Sequence, residues 1–216
     1  MYSLQPLENG STTSKYASLG RPQKMRLFTE QWKEGELVMP MQPHESLVGD
    51  TILLGDFGLA RKAGTPVALK LQSPATYCAP ERLHGVDPSF ASDMWSYMCL
   101  FFELYTTACL FPGSGYTSVV SSMVNTLGPL PVSWKGTYYA RAACDTAWYD
   151  QDRQLEPTTA LKAKIMRLRP DISAMELELV MSILRQGLSY HPEHRLMAAQ
   201  LLEDASFKAL MGIYGF

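Results

Sequence analysis

Four short clusters of polar and charged residues could do chemistry in this chain. They are Asp56–Gly58, Ala79–Glu81, Asp93–Ser96 and His191–Arg195. The first cluster follows the apolar run 51–54, which predicts a strand that leads into a turn. Each cluster alone is a weak signal, because Asp56 could be a solvated turn residue, and Glu81 and Arg195 could be separate surface charges. The order of the four clusters along the chain is the more specific observation.

Taken in this order, Asp-Phe-Gly, Ala-Pro-Glu, Asp-Met-Trp-Ser and the arginine-bearing turn at Arg195 resemble the C-terminal lobe of a eukaryotic protein kinase. The resemblance covers about residues 47–211. It is most like the SR-protein-kinase branch, because Val119–Trp134 resembles an insert found in that branch and its relatives. The resemblance implies a mainly α fold, a kinase-like C-terminal lobe with a few short strands near residues 51–56.

The resemblance assigns a metal-binding role to Asp56. In protein kinases this carboxylate holds the Mg²⁺ that bridges the nucleotide phosphates, so ATP and Mg²⁺ are the cofactors of the parent family. Phe57 would pack inward and fix Asp56, and Gly58 would supply backbone freedom where the activation loop begins. These three residues are the predicted cofactor site. We expect this chain to bind neither cofactor tightly, because other parts of the machinery are missing from it.

Three further roles are structural. Glu81 and Arg195 would form an ion pair that ties the activation segment to the lobe, and breaking such a buried pair costs about 3–5 kcal/mol. Asp93 would receive backbone N–H groups of the catalytic loop, or would be an ordinary acidic residue at the start of a helix. Trp95 is predicted to be a core residue under either interpretation.

Four hydroxyl-bearing residues lie in the predicted activation loop, where each could be phosphorylated or could be a plain loop hydroxyl: Thr65, Ser73, Thr76 and Tyr77. His191 and His194 have no third ligand nearby in sequence. We therefore predict that they are turn residues and not a metal site.

The departures from the kinase pattern bear on activity. No glycine-rich loop is present, and no His-x-Asp motif with a following Asn precedes Asp56. Val67–Lys70 looks like the family's Val-Ala-Ile-Lys strand, but it follows Asp56, so Lys70 is predicted to be a loop lysine. Met98 stands where the family has glycine. We expect an inactive partial serine/threonine kinase domain; the alternatives are a pseudokinase-type interaction module or a degenerate gene fragment, and more remotely an unrelated globular protein.

The chain is expected to have two parts. Residues 1–46 are predicted to be irregular and to lie between the catalytic loop and the strand before Asp56, and residues 47–211 to form the partial kinase domain. Met1 would then be an internal methionine of a longer kinase. Loss of the rest of the domain should leave an apolar patch exposed near Phe57 and Leu59.

Apolar periodicity predicts the helices. The main one runs from Asp93 to Leu110 with Ser92 as its N-cap, and its buried residues should include Leu100, Phe101, Leu104 and Tyr105. Further helices are predicted over 116–127, 158–167, 173–188 and 198–210.

Composition limits the possible partners. The formal net charge is −2 and no basic run occurs, so neither nucleic acid nor an anionic membrane is expected as a partner. A protein substrate or partner is expected, with a Ser/Arg-rich protein as one candidate. The four cysteines form no Cys-x-x-Cys pair, which favours a reducing intracellular setting, cytoplasmic or nuclear. The most apolar window, residues 94–111, contains Glu103 and is predicted to be a buried helix and not a membrane span.

Overall fold

The computed structural model describes residues 2–4, 9–23, 38–40, 43–68, 73–139 and 146–216. The chain divides into two compact units, Met1–Ala60 and Arg61–Phe216. Helices dominate the described residues, which confirms the mainly α fold class. No helix among the described residues is both long and apolar enough to cross a membrane.

The first unit contains a two-stranded antiparallel sheet. Strand β1 (Tyr2–Leu4) pairs with β2 (Val48–Ile52), with Tyr2 opposite Ile52. The strand predicted at 51–54 therefore begins three residues earlier and ends two residues earlier. The segment 1–46, expected to be irregular, also holds helix α1 (Thr12–Leu19), because the Ser11 hydroxyl caps its N-terminus and Gly20 ends it with a φ of 75°.

The second unit is built around helix α3 (Phe90–Thr106), which follows the short helix α2 (Pro80–Leu83). The N-cap of α3 is Ser89, and the prediction of Ser92 was wrong. The two serines bond reciprocally, since the Ser92 N–H donates to Ser89 Oγ (3.2 Å) and the Ser89 N–H donates to Ser92 Oγ (2.9 Å). The helix therefore begins earlier than predicted. It also ends earlier, at Thr106, because the next residue, Thr107, has a left-handed backbone with a φ of 60°.

The buried face of α3 differs from the predicted one. Its buried apolar residues are Met94, Trp95, Met98, Cys99 and Phe102. The prediction that Leu100 and Leu104 are buried was wrong, because Leu100 is 46% exposed and Leu104 is 68% exposed. Phe101 and Tyr105 are only half-buried. The helix is apolar on all sides, so periodicity alone could not select the face that packs inward.

The remaining helices follow the predictions to different degrees. Helices α4 (Tyr116–Leu127) and α6 (Ala174–Gly187) confirm them, and Ser173 caps α6 as expected. Helix α5 (Leu161–Leu168) begins three residues later than predicted. The predicted helix 198–210 is two helices, α7 (Ala198–Glu203) and α8 (Ala205–Ile213), because Asp204 ends the first and its carboxylate caps the second.

Two groups of buried side chains hold the second unit together. The larger group joins one face of α3 to α4, α5, α6, α7 and α8. The smaller group joins α2 and α4 to the segment after α4; it consists of Cys78, Leu83, Val120, Val124, Leu130, Trp148 and Tyr149. Residues near the Ala-Pro-Glu motif thus contribute to both groups, which places the motif between two parts of the core.

Candidate functional site

The turn at Asp56 is the candidate cofactor site. Asp56 has a left-handed backbone (φ 61°, ψ 57°), and Phe57–Leu59 form one 3-10 turn, closed by the Ala60 N–H donating to Phe57 O at 3.0 Å. The left-handed residue is thus Asp56 and not Gly58, where backbone freedom was expected. An aspartate tolerates this conformation better than most residues, because its short side chain can bond locally.

The side chains around this turn face solvent. Phe57 is 64% exposed, so the expected inward packing that would fix Asp56 is wrong for this chain. Four apolar neighbours are exposed as well: Ile52, Leu53, Leu54 and Leu59. These five residues form the patch expected near Phe57 and Leu59, and its exposure is confirmed. We call them the Phe57 patch.

The described residues offer little to a metal ion. Within the described part of the chain, no group of three or more His, Cys, Asp and Glu side chains could hold one. Asp56 is a single exposed carboxylate, and Mg²⁺ usually takes one or two carboxylates together with phosphates and water. These residues therefore do not fit a complete Mg²⁺–ATP site. Lys70, predicted to be a loop lysine, lies outside the described residues.

Glu81 and Arg195 form the most deeply buried ion pair of the described residues. Arg195 Nη1 donates to Glu81 Oε1 at 2.7 Å, and Nη2 donates to Oε2 at 3.0 Å. The side chains are 0% and 1% exposed. This bidentate geometry is the strong form of a charge-assisted hydrogen bond. The contact expected between these residues is present, across 114 positions of sequence.

Further contacts hold the Arg195 guanidinium in place. It donates to the carbonyl oxygens of Ala91 (2.7 Å) and Ser189 (2.9 and 3.0 Å). Its Cζ also lies 5.1 Å from the ring centroid of Trp95, which is fully buried as predicted and stacks on Phe111. Arg195 thereby connects α2, the start of α3 and the loop after α6.

The structure places Asp93 on the exposed side of the first turn of α3. Nearby protein atoms still remove part of its water, and this desolvation raises the pKa of its carboxyl group. An acidic residue at this position interacts favourably with the helix dipole. This location suits the simpler of the two interpretations of Asp93, and its contact with a catalytic loop stays a prediction.

The four loop hydroxyls differ in their surroundings. Thr65 is exposed, whereas Ser73, Thr76 and Tyr77 are half-buried. The Tyr77 hydroxyl donates to Glu103 Oε2 at 2.6 Å, and this bond, aided by burial, raises the pKa of Tyr77 to about 12. Sequence reasoning missed this partner, and the usable signal was the acidic Glu103 inside the most apolar helix.

Sequence reasoning also overlooked His84, which follows α2. Its ring is buried and bonds to the Pro80 carbonyl oxygen and to the Tyr149 hydroxyl. No motif pointed to it, because the residues that surround it come from a segment 50 to 65 positions away.

Comparison with known proteins adds the family. A family profile described as "Protein kinase domain" matches residues 39–207. The chain is 30% identical over 161 residues to rat cyclin-dependent kinase 11B, with 72% of this chain and 34% of the relative covered. It is 31% identical over 161 residues to human cyclin-dependent kinase 11A, with 72% and 19% covered.

A third relative comes from fission yeast. The chain is 30% identical over 174 residues to the serine/threonine-protein kinase ppk23 of Schizosaccharomyces pombe, with 77% of this chain and 40% of the relative covered. The matches to these three relatives thus span between about a fifth and two fifths of each relative's length.

Proposed function

Because this chain belongs to the protein kinase domain family, we propose that it supplies the activation segment and helical C-terminal lobe of a serine/threonine protein kinase domain. The observation that carries the proposal is the buried pair of Glu81 and Arg195, together with Trp95 beneath the guanidinium. This pair anchors the activation segment on the lobe. Residues 47–211 are then the partial kinase domain, and residues 1–46 precede its Asp56 strand.

The pairing of β1 with β2 supports this assignment of the first unit. Strand β2 ends four residues before Asp56, and β1 lies antiparallel to it. A strand that leads into the Asp56 turn is what the proposed order of segments requires, and Tyr2–Leu4 supply its partner strand. Asp56, Phe57 and Gly58 are accordingly the residues that would face the nucleotide and Mg²⁺ in a complete domain.

We propose that the 216-residue polypeptide does not transfer phosphate by itself. Phosphoryl transfer depends on positioning and on charge stabilisation by several groups. Of the magnesium and phosphate machinery in the family's motifs, the sequence contains Asp56 but no His-x-Asp…Asn before it and no glycine-rich loop. One exposed carboxylate binds a strongly hydrated Mg²⁺ ion only weakly.

The substrate proposal is a protein with serine or threonine acceptors, and a Ser/Arg-rich protein is the first candidate. Its basis is the resemblance of Val119–Trp134 to the SR-protein-kinase branch. The relatives found are named cyclin-dependent kinases, PITSLRE kinase and ppk23, and these names do not specify Ser/Arg-rich substrates. A panel of Ser/Arg-rich and other Ser/Thr peptides therefore belongs in any assay.

Thr65 is the best candidate for phosphorylation among the four loop hydroxyls, because it is exposed. Modification of Tyr77 would place a phosphate against Glu103, and like charges at that distance repel. Ser73 and Thr76 are half-buried and would need local opening first.

The Phe57 patch favours a second candidate function, a protein-interaction module without chemistry. A cluster of exposed apolar side chains is typical of a surface that a partner covers. We propose an intracellular setting for either function, because Cys78, Cys99 and Cys109 are free thiols.

Radiolabelled ATP tests the activity proposal. The purified polypeptide with Mg²⁺ should transfer no radiolabel to itself or to the peptide panel. The Asp56→Asn variant should give the same background signal. Incorporation that disappears in Asp56→Asn would show that the chain is an active kinase and would refute the proposal. A rise in melting temperature with Mg²⁺–ATP, absent in the variant, would favour a nucleotide-binding function over a pure interaction module.

A further inference from the structure

His84 makes two hydrogen bonds whose direction the chemistry determines. Its Nδ1 lies 2.7 Å from the carbonyl oxygen of Pro80, and its Nε2 lies 2.8 Å from the hydroxyl oxygen of Tyr149. A carbonyl oxygen can only accept, so Nδ1 must carry the proton. In a neutral ring Nε2 is then an acceptor, and the Tyr149 hydroxyl donates to it.

Aromatic rings surround the imidazole on the side away from α2. The ring of Trp134 lies 4.9 Å from it between centroids, that of Tyr138 5.7 Å, and that of Tyr149 6.0 Å with its edge turned toward it. His84 is 7% exposed. Nearby, the backbone N–H of Tyr139 donates to Leu83 O at 2.7 Å, which is a second link between α2 and the same segment.

These contacts place α2 between two anchors. Arg195 holds Glu81 from the side of α3, and Trp134, Tyr138 and Tyr149 contact His84. We propose that neutral His84 is a positioning residue, which joins the activation-segment helix α2 to Tyr149 and releases it when the imidazole is protonated. We call this pair the His84 latch. The proposal stands on this geometry and does not depend on kinase activity.

Protonation would disturb the latch for two reasons. A second N–H would point at the Tyr149 hydroxyl, which could keep the contact only by accepting this bond and turning its own proton away from the ring. The added charge would also be buried among aromatic rings, where the titratable groups facing it are Tyr149 and Tyr138. On the helix side the nearby acid is Glu81, whose charge favours the protonated ring but is also paired with Arg195.

The sign of the pH dependence follows from burial. Desolvation lowers the pKa of His84, and the bond to Pro80 and the charge of Glu81 only partly oppose this. A His whose pKa is lower in the folded state than its unfolded value of about 6.5 contributes stability that is complete above that value. This contribution is lost as the pH falls through the folded-state pKa, by up to about tenfold in the unfolding constant per pH unit.

The tautomer of His84 is the direct test. Long-range ¹H–¹⁵N NMR spectra of the full chain at pH 7.5 should show His84 protonated at Nδ1, with its signals identified by their absence in His84→Gln. Tyr149→Phe should shift the Nε2 resonance, because the donor is removed. Tyr138→Phe is the matched control, since the Tyr138 hydroxyl faces Thr117 Oγ1 at 3.4 Å, and it should leave that resonance in place. Protonation at Nε2 in the wild-type chain would overturn the proposal.

The pH profile is the second test, and it shows whether the stability of the folded chain depends on neutral His84. His84→Phe keeps an aromatic ring but cannot titrate. The difference in unfolding constant between the wild-type chain and this variant should be greatest near pH 8 and should shrink below about pH 6.5. A difference that is the same from pH 8 to pH 5.5 would contradict release by protonation.

Discussion

Replacing Glu81 by glutamine tests the buried ion pair with almost no change in volume. The amide can still accept one bond from Arg195, but its NH₂ group now faces a guanidinium N–H, and the arginine charge has lost its counter-charge. Because both side chains are at most 1% exposed, water cannot reach the Arg195 guanidinium to solvate its unpaired charge. We expect the free energy of unfolding to fall by about 3–5 kcal/mol, as found when one partner of a buried pair is removed.

Arg195→Met should cost more than Glu81→Gln. The arginine also donates to the carbonyl oxygens of Ala91 and Ser189, and methionine leaves these without that donor in addition to the stranded carboxylate. Each lost hydrogen bond from the charged guanidinium costs about 1.5–3 kcal/mol. The double variant should be less destabilised than the sum of the two single changes, because it strands no charge.

Urea unfolding followed by tryptophan fluorescence measures these free energies. Trp95, Trp134 and Trp148 lie in the second unit and Trp32 lies in the first, so all variants carry Trp32→Phe, and the signal then reports on the part of the chain that holds the pair. Glu178→Gln is the control: its exposed bond to Lys162 (3.0 Å) should contribute at most about 1 kcal/mol. A loss for Glu81→Gln no larger than that of the control would refute the reasoning.

Two smaller predictions concern packing and capping in the second unit. A Cβ at Gly187 would lie 2.3 Å from Met98 Cγ, so Gly187→Ala should lower the free energy of unfolding by about 1–2 kcal/mol through overpacking, and the loss due to Gly187→Ala should be smaller when it is measured in a Met98→Ala background; an unchanged or raised urea midpoint for Gly187→Ala would contradict this. Ser89→Ala should cost about 1 kcal/mol by removing the N-cap of α3, and an effect within error would mean that Ser92 or water replaces the cap.

The contact between Met98 and Gly187 explains how the chain accommodates a residue that departs from the kinase pattern. Met98 stands where the family has glycine, and its side chain is fully buried against α6. Gly187 has no Cβ at the point of contact, which leaves room on α6 for the Met98 side chain. The sequence showed that Met98 departs from the kinase pattern, and the structure shows that its side chain packs against Gly187.

Local sequence signals determined several elements of the fold. Helix α4 begins and ends where its periodicity and Gly128 predict, and Ser173 caps α6 as expected, because caps and glycine stops act through neighbouring backbone groups. The pairing of Glu81 with Arg195 could also be expected, but only through the order of motifs, since 114 positions separate the two residues. Spacing and composition alone contain no information about a contact at that range.

Tertiary packing decided the rest. The inward face of α3 depends on which neighbours reach it, because the helix is apolar all round, and so Met98 and Phe102 are buried while Leu100 and Leu104 are exposed. His84 acquired its partners only when a segment 50 to 65 positions away folded against α2. A histidine without a motif gives no sign in sequence of whether it is solvated or buried, since its hydrogen-bond partners come from distant parts of the chain.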